Sequence, residues 1–324
     1  GPRHAVMRAL ILFALLGMTG CTTDPGAPNA AGICPLIREV EMPVETHGNM
    51  LFVRGTIGGD PVTLLVDTGA ERTLLTEATV ERLHLPRDFQ HVTRTYGIGT
   101  PSTSWDARLP DGLTLGGTRL PVDTVSVGHF GIMAVAGTPA DGLLGADILL
   151  AFDVDLDLPA HRMIFYRARR DCPGAAPPWT EAYVGVAGIT TKRDRLLVPF
   201  ELDGVAGEAV LDTGAQLSSI SQRMAERMGL DEEQLELDRR VMAHGAAADQ
   251  VAVRIHRFHE LRVGPAVMQS PVLPVVPMTS GMGDALIGAD FLRGRRIWLS
   301  FATHRLFVTP IERAPLIAAT HPTE

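Results

Sequence analysis

The chain has 324 residues and a formal net charge of −8, long enough for two domains that each bury their own core. Hydrophobic residues make up 45% and charged residues 20%, a globular composition rather than a disordered one. The acidic balance and the lack of a Lys/Arg stripe exclude nucleic acid as a partner, because neutralising phosphates needs clustered cations. Aromatic residues are only 5%, so the cores must rest on Val, Leu, Ile, Ala and Met.

Met7-Arg8 opens a short positive region, followed by the apolar run Ala9 to Leu16 and then Gly17-Met18-Thr19-Gly20-Cys21. The run is too short to be a permanent membrane span. The pattern resembles a bacterial lipoprotein signal, so residues 1–21 are expected to be start and signal, with Cys21 as the lipidated new N-terminus. An ordinary cleaved signal is the alternative, and either one exports the protein. The expected location is the periplasmic face of a bacterial membrane, held by lipid at Cys21. Residues 22–44 are expected to be a tether, since Thr22 to Gly32 is rich in Pro, Gly and Ala and has no apolar period. Cys34 and Cys172 would then share an oxidising compartment, and a disulfide between them is expected to close the first body.

The first body, 45–170, reads as short β segments such as Leu51-Phe52-Val53 and Val62 to Val66, separated by the turn Gly58-Gly59-Asp60-Pro61. A helical stretch from Glu77 to Leu83 follows Asp67-Thr68-Gly69-Ala70. After a Pro/Gly-rich break at 171–180 comes a second body, 181–312, with strands at Leu196 to Leu202 and Arg305 to Val308 and a helical stretch at Ser221 to Met228. Residues 313–324 form a patternless tail. The bodies repeat each other. Leu64 to Ala70 matches Ala209 to Ala215 at an offset of 145 (212 − 67), and Asp141 to Asp147 matches Asp284 to Asp290 at 143. His161 to Phe165 matches His304 to Val308, again at 143. Three anchors in one order at nearly constant offset indicate an internal duplication.

An apolar strand running into Asp-Thr-Gly sets a carboxylate at the strand's end, on a turn that glycine permits. One copy would be an ordinary turn. Two copies let Asp67 and Asp212 face each other across a two-fold and bracket one water, with one carboxyl as acid and the other as base. Other constellations fail. His256 and His259 lack helical zinc spacing, and Asp153, Asp155 and Asp157 form one polar strand face without a calcium loop's glycine and distal glutamate. No Ser-His-Asp order or Gly-x-Ser-x-Gly elbow is present. No metal and no cofactor is expected.

Thr56-Ile57-Gly58-Gly59 with Leu64 to Ala70, and the later Leu143-Leu144-Gly145 and Leu286-Ile287-Gly288, resemble the retropepsin, or retroviral-type pepsin, family. The resemblance implies an all-β fold of two tandem retropepsin/pepsin-like β-barrel lobes with the active site between them. It also implies an aspartic endopeptidase that hydrolyses proteins or peptides through Asp67 and Asp212. Thr68 and Thr213 would exchange hydrogen bonds between lobes, supported by Gly69, Ala70, Gly214 and Ala215, and the second motif would pack beneath each loop. Flaps would lie at Tyr96-Gly97-Ile98 and near Met242 to Ala246. Glu71 and Gln216, which differ between lobes, would line an asymmetric cleft. Asp141 and Asp284 would either border it or bond local turn amides, and Asp147 and Asp290 would cap the short helix that follows them. Viral members supply one lobe per chain. This chain carries both, so it is expected to act as a monomer on exported or envelope proteins. The competing readings are a peptide-binding module without turnover and lobes that pair between chains.

Overall fold

The computed structural model describes residues 36–95, 102–128, 140–167, 176–190, 195–236, 238–244, 250–278 and 281–309. Each repeat folds into a ten-stranded sheet, and the two sheets have the same strand order. The protein is therefore mostly β, with two tandem lobes of one topology.

In the first lobe Met50–Ile57 turns back through Gly58 and Gly59, both at positive φ (59° and 86°), into Asp60–Val66. Two left-handed residues give the tight hairpin whose twist matches its strands. The far face of this hairpin is buried through Val53, Val62, Leu64 and Val66. The second-lobe counterpart pairs Leu196–Leu202 with Val205–Leu211. Each lobe carries one two-turn helix, Glu77–Arg82 and Gln222–Arg227. Their starts are set by side chains: Thr76 Oγ1 accepts from Thr79 N at 3.1 Å and Ser221 Oγ from Met224 N at 3.0 Å, which satisfies an otherwise orphaned amide.

A third, six-stranded sheet joins the lobes. Its order is Arg38–Pro43, Arg162–Arg167, Phe152–Asp157, Arg296–Ser300, Arg305–Val308, Val184–Ala187. The central pair is antiparallel, with Asp155 opposite Trp298. These two residues are separated by the repeat offset of 143 (298 − 155), so the pseudo-two-fold passes between them. The few aromatic residues concentrate here, where Tyr166 stacks on Trp298 and Trp179 meets Trp298 edge-on. The Asp153/Asp155/Asp157 face is buried rather than solvated. Asp155 is 0% exposed; it receives Arg296 Nη2 at 2.7 Å and Nε at 3.0 Å, and Trp179 Nε1 at 3.1 Å.

The sheet also corrects one boundary. Residues 38–43, expected within the tether, are a sheet strand, with Val40 and Met42 buried and Arg38, Glu41 and Pro43 exposed. That alternation is an ordinary two-residue period.

Candidate active site

Asp67 and Asp212 each stand one residue past the end of a strand whose last three residues are buried, Asp60–Val66 and Val205–Leu211. What holds each loop is a short strand threaded between its arms. Gly142–Leu144 runs parallel to Asp60–Val66, with Leu144 beside Val66, and antiparallel to Leu74–Leu75. From it Leu144 O accepts Asp67 N at 3.0 Å, while Ala146 N donates to Ala70 O at 2.8 Å. In the second lobe Ile287 O accepts Asp212 N at 2.9 Å and Ala289 N donates to Ala215 O at 2.8 Å.

The short helices that follow, Ala146–Leu149 and Ala289–Leu292, begin at Gly145 and Gly288 without a side-chain cap. Asp147 and Asp290 are therefore not the N-cap residues, although each Oδ1 does accept a first-turn amide, from Ile148 N at 3.0 Å and Phe291 N at 2.8 Å. Each lies inside its helix and turns back to the loop. Asp147 Oδ1 accepts from Thr73 N and Thr73 Oγ1, both at 2.8 Å. Asp290 Oδ1 accepts from Ser218 N at 2.8 Å and Ser218 Oγ at 2.7 Å. The hydroxyls then receive Gly145 N at 3.0 Å and Gly288 N at 2.9 Å. A two-pronged brace to a loop satisfies more buried groups than one capped amide would.

The two loops meet through a reciprocal set of four bonds. Thr68 N donates to Thr213 Oγ1 at 3.1 Å and Thr213 N to Thr68 Oγ1 at 3.0 Å. Thr68 Oγ1 donates to Leu211 O at 2.7 Å and Thr213 Oγ1 to Val66 O at 2.6 Å. Gly69 and Gly214 permit this approach. A Cβ on Gly69 would lie 2.4 Å from Asp212 Cγ, and one on Gly214 2.3 Å from Asp67 Cγ. Any side chain there would displace the facing carboxylate.

The two carboxyls are consequently close enough to hydrogen-bond each other. Asp67 Oδ1 accepts Gly69 N and Ala70 N, both at 3.0 Å, and Asp212 Oδ1 accepts Gly214 N at 2.9 Å. Asp67 is buried, while Asp212 keeps somewhat more solvent access. Burial pushes Asp67 well above the usual carboxylate range, and the Asp212 charge beside it pushes the same way. Burial also raises Asp212, but the bond from Asp67, the Gly214 amide and the nearby Arg195 charge oppose that rise. Two facing carboxyls of this kind retain one proton between them over a range where isolated ones would both be ionised.

Arg195 escaped the sequence reading. It is 2% exposed and immediately precedes the second-lobe strand Leu196–Leu202. Its Nε donates to Gly69 O of the first-lobe loop at 2.9 Å, and its Nη1 lies 3.4 Å from Glu71 Oε1. The available signal was a mismatch between repeats: Arg195 falls where the first lobe has Met50 (195 − 145), ahead of otherwise matching apolar runs.

Other anticipated residues have defined places. Glu71 points to Arg195, and Gln216 Nε2 donates to Gly48 O at 3.2 Å, so each contacts the opposite lobe. Asp141 accepts Thr63 N at 2.8 Å, Thr79 Oγ1 at 3.0 Å and Arg82 Nη2 at 2.9 Å. Asp284 accepts Glu208 N at 3.1 Å and Arg227 Nη1 at 2.6 Å. Both take the local role, tying the lobe's helix to the strand that carries the aspartate. The strands leading to the segments expected as flaps pair in each lobe, Val92 opposite Trp105 and Met242 opposite Ala252. Tyr96, Gly97 and Ile98 at the first tip lie outside the described residues, as do Cys21, Cys34 and Cys172. Among the described residues no group of three His, Cys, Asp or Glu side chains is arranged to hold a metal. His256 instead meets Asp238 through Nδ1 at 2.6 Å.

The family model described as aspartyl protease matches residues 53–148 and again 198–291. Among solved structures, basic 7S globulin from soybean is 12% identical, covering 86% of this chain and 96% of its own, at a TM-score of 0.43. A retropepsin-like aspartic protease from Rickettsia conorii is 13% identical, covering 41% of this chain and 96% of its own, at a TM-score of 0.32. A comparison with curated protein sequences returns no match.

Proposed function

The chain belongs to the aspartyl protease family, and on that premise we propose that it is an aspartic endopeptidase whose single active site is the Asp67/Asp212 pair, complete within one chain. The observation that carries this reading is the loop junction. Four reciprocal hydrogen bonds and two glycines press the carboxyls of both lobes together. A pure binding surface has no use for two buried acids whose mutual repulsion costs stability.

The chemistry follows from the shared proton. The ionised carboxylate takes a proton from a water lying between the pair as that water attacks the peptide carbonyl carbon. The protonated carboxyl donates to the carbonyl oxygen, giving a neutral tetrahedral diol. The carboxyl that took the water proton then gives it to the departing nitrogen as the C–N bond breaks. The other carboxylate takes a diol hydroxyl proton as the new acid's carbonyl forms, which restores the shared proton. Coupled aspartates sharing one proton are established behaviour for aspartic proteases in general and are taken as given. The amides of Gly69, Ala70 and Gly214 fix the carboxylate planes, so little reorganisation is needed during the reaction.

The proposal includes location. The Met7 to Cys21 segment supports export and lipid attachment at Cys21, and thus substrates among exported or envelope proteins. Cys21→Ser is expected to move the protein from the membrane to the soluble fraction with cleavage intact.

The test of function is digestion of a peptide library by the purified protein, with mass spectrometry of the products. Internal cleavage that disappears in both Asp67→Asn and Asp212→Asn supports the reading. Binding of peptides without any cleavage would replace it with a non-catalytic module.

A further inference from the structure

The lobes repeat each other in strand order, loop bracing and threonine exchange, yet the charges around the aspartates are not symmetric. Arg195 sits in the junction on one side only; its counterpart, Met50, is fully buried against Phe52, Leu65 and Ala70. Glu71 is likewise matched by the neutral Gln216. The guanidinium grips the first-lobe loop through Gly69 O while belonging to the second lobe, whose aspartate follows it by 17 residues (212 − 195).

We propose that Arg195 is a positioning residue that breaks the equivalence of the pair, leaving the shared proton on Asp67 and Asp212 ionised as the base toward water. This rests on the reading of the pair as the hydrolytic site. Charged groups around it come from both lobes, among them Asp67 and Glu71 from the first-lobe loop and Asp212 and Arg195 from the second. The next cation along, Arg72, is directed elsewhere, donating to Asp106 at 3.1 Å and lying 3.9 Å from Asp147. A cation held in a dry junction favours the ionised form of the carboxylate nearest it. The directions agree: the Arg195 charge lowers Asp212, while burial and the like-charged partner raise Asp67 against the opposing Gly69 and Ala70 amides, and among the described residues no cation acts on it. Glu71 partly offsets the guanidinium and keeps it from leaving the junction.

Carboxyl-carbon NMR titration of the full chain tests this without relying on turnover. Asp67→Asn leaves Asp212 as the only acid of the pair, and Asp212→Asn leaves Asp67. Asp212 is expected to ionise at the lower pH of the two. Adding Arg195→Met should raise the Asp212 titration by about one pH unit, and Arg195→Lys, which retains the charge, should recover most of the difference. In the otherwise unchanged enzyme, Arg195→Met should move the acidic limb of the kcat/KM profile upward by a similar amount. Asp67 ionising at or below Asp212, or an Asp212 titration indifferent to Arg195→Met, would overturn the assignment. The order of the two titrations needs no change at Arg195, so poor folding of that variant leaves the test decisive. Absence of all peptide cleavage would remove the protease reading while the titrations still judged Arg195.

Discussion

Replacing Thr68 by valine keeps the side chain's shape and removes its hydroxyl from the junction of the lobes. That hydroxyl donates to Leu211 O at 2.7 Å and accepts Thr213 N at 3.0 Å, and both Thr68 and Thr213 are buried. Valine deprives two buried backbone groups of these partners. Each such group costs about 1–3 kcal/mol, so Thr68→Val should destabilise the protein by about 2–6 kcal/mol. Denaturant unfolding followed by tryptophan fluorescence is a suitable assay, because Trp298 is buried in the sheet that joins the lobes. Thr68→Ser retains the hydroxyl and loses one methyl, so its cost should stay near 1 kcal/mol. A valine variant within about 0.5 kcal/mol of wild type, or a serine variant equally damaged, would refute the account of the junction.

Three further outcomes follow. Asp67→Asn should abolish cleavage yet stabilise the fold at neutral pH, because an acid whose pKa is raised on folding loses stability as pH climbs from its unfolded value of about 3.8 through its folded one. The gain over wild type should grow with pH across that window and vanish below it, as thermal unfolding at several pH values would show. Gly69→Ala would place a methyl 2.4 Å from Asp212 Cγ; the forced shift should lower kcat/KM by about 100-fold or more in steady-state kinetics. Arg296→Met strands the buried Asp155 carboxylate in the central sheet, at a cost of about 3–5 kcal/mol in equilibrium unfolding.

The parts of the fold carried by repetition were readable from the residues. Two Asp-Thr-Gly-Ala segments at a constant offset, each followed by a capped helix and a second apolar-Gly motif, indicated paired lobes and the aspartates between them. Where single elements lacked a repeated signature, reading failed for local reasons. Arg38–Pro43 has an alternating pattern, but its proximity to a Pro/Gly-rich stretch and its proline end made it look like tether. Asp147 and Asp290 stand at the start of helices, where capping is the ordinary role of aspartate. Their brace to Thr73 and Ser218, more than seventy residues away in sequence, is a tertiary contact that no local pattern reveals. Arg195 was legible only as a departure from the repeat, a buried cation where its partner lobe has methionine.

The central claim is that one chain supplies both carboxylates of one hydrolytic site. Mixing Asp67→Asn protein with Asp212→Asn protein in equal amounts, then measuring cleavage of the best library peptide, tests it most directly. Each chain retains one intact aspartate, so lobes that pair between chains would reassemble a working pair. The account predicts that the mixture cleaves no faster than either variant alone, while wild type at the same concentration is fully active. Recovery of activity on mixing would contradict it.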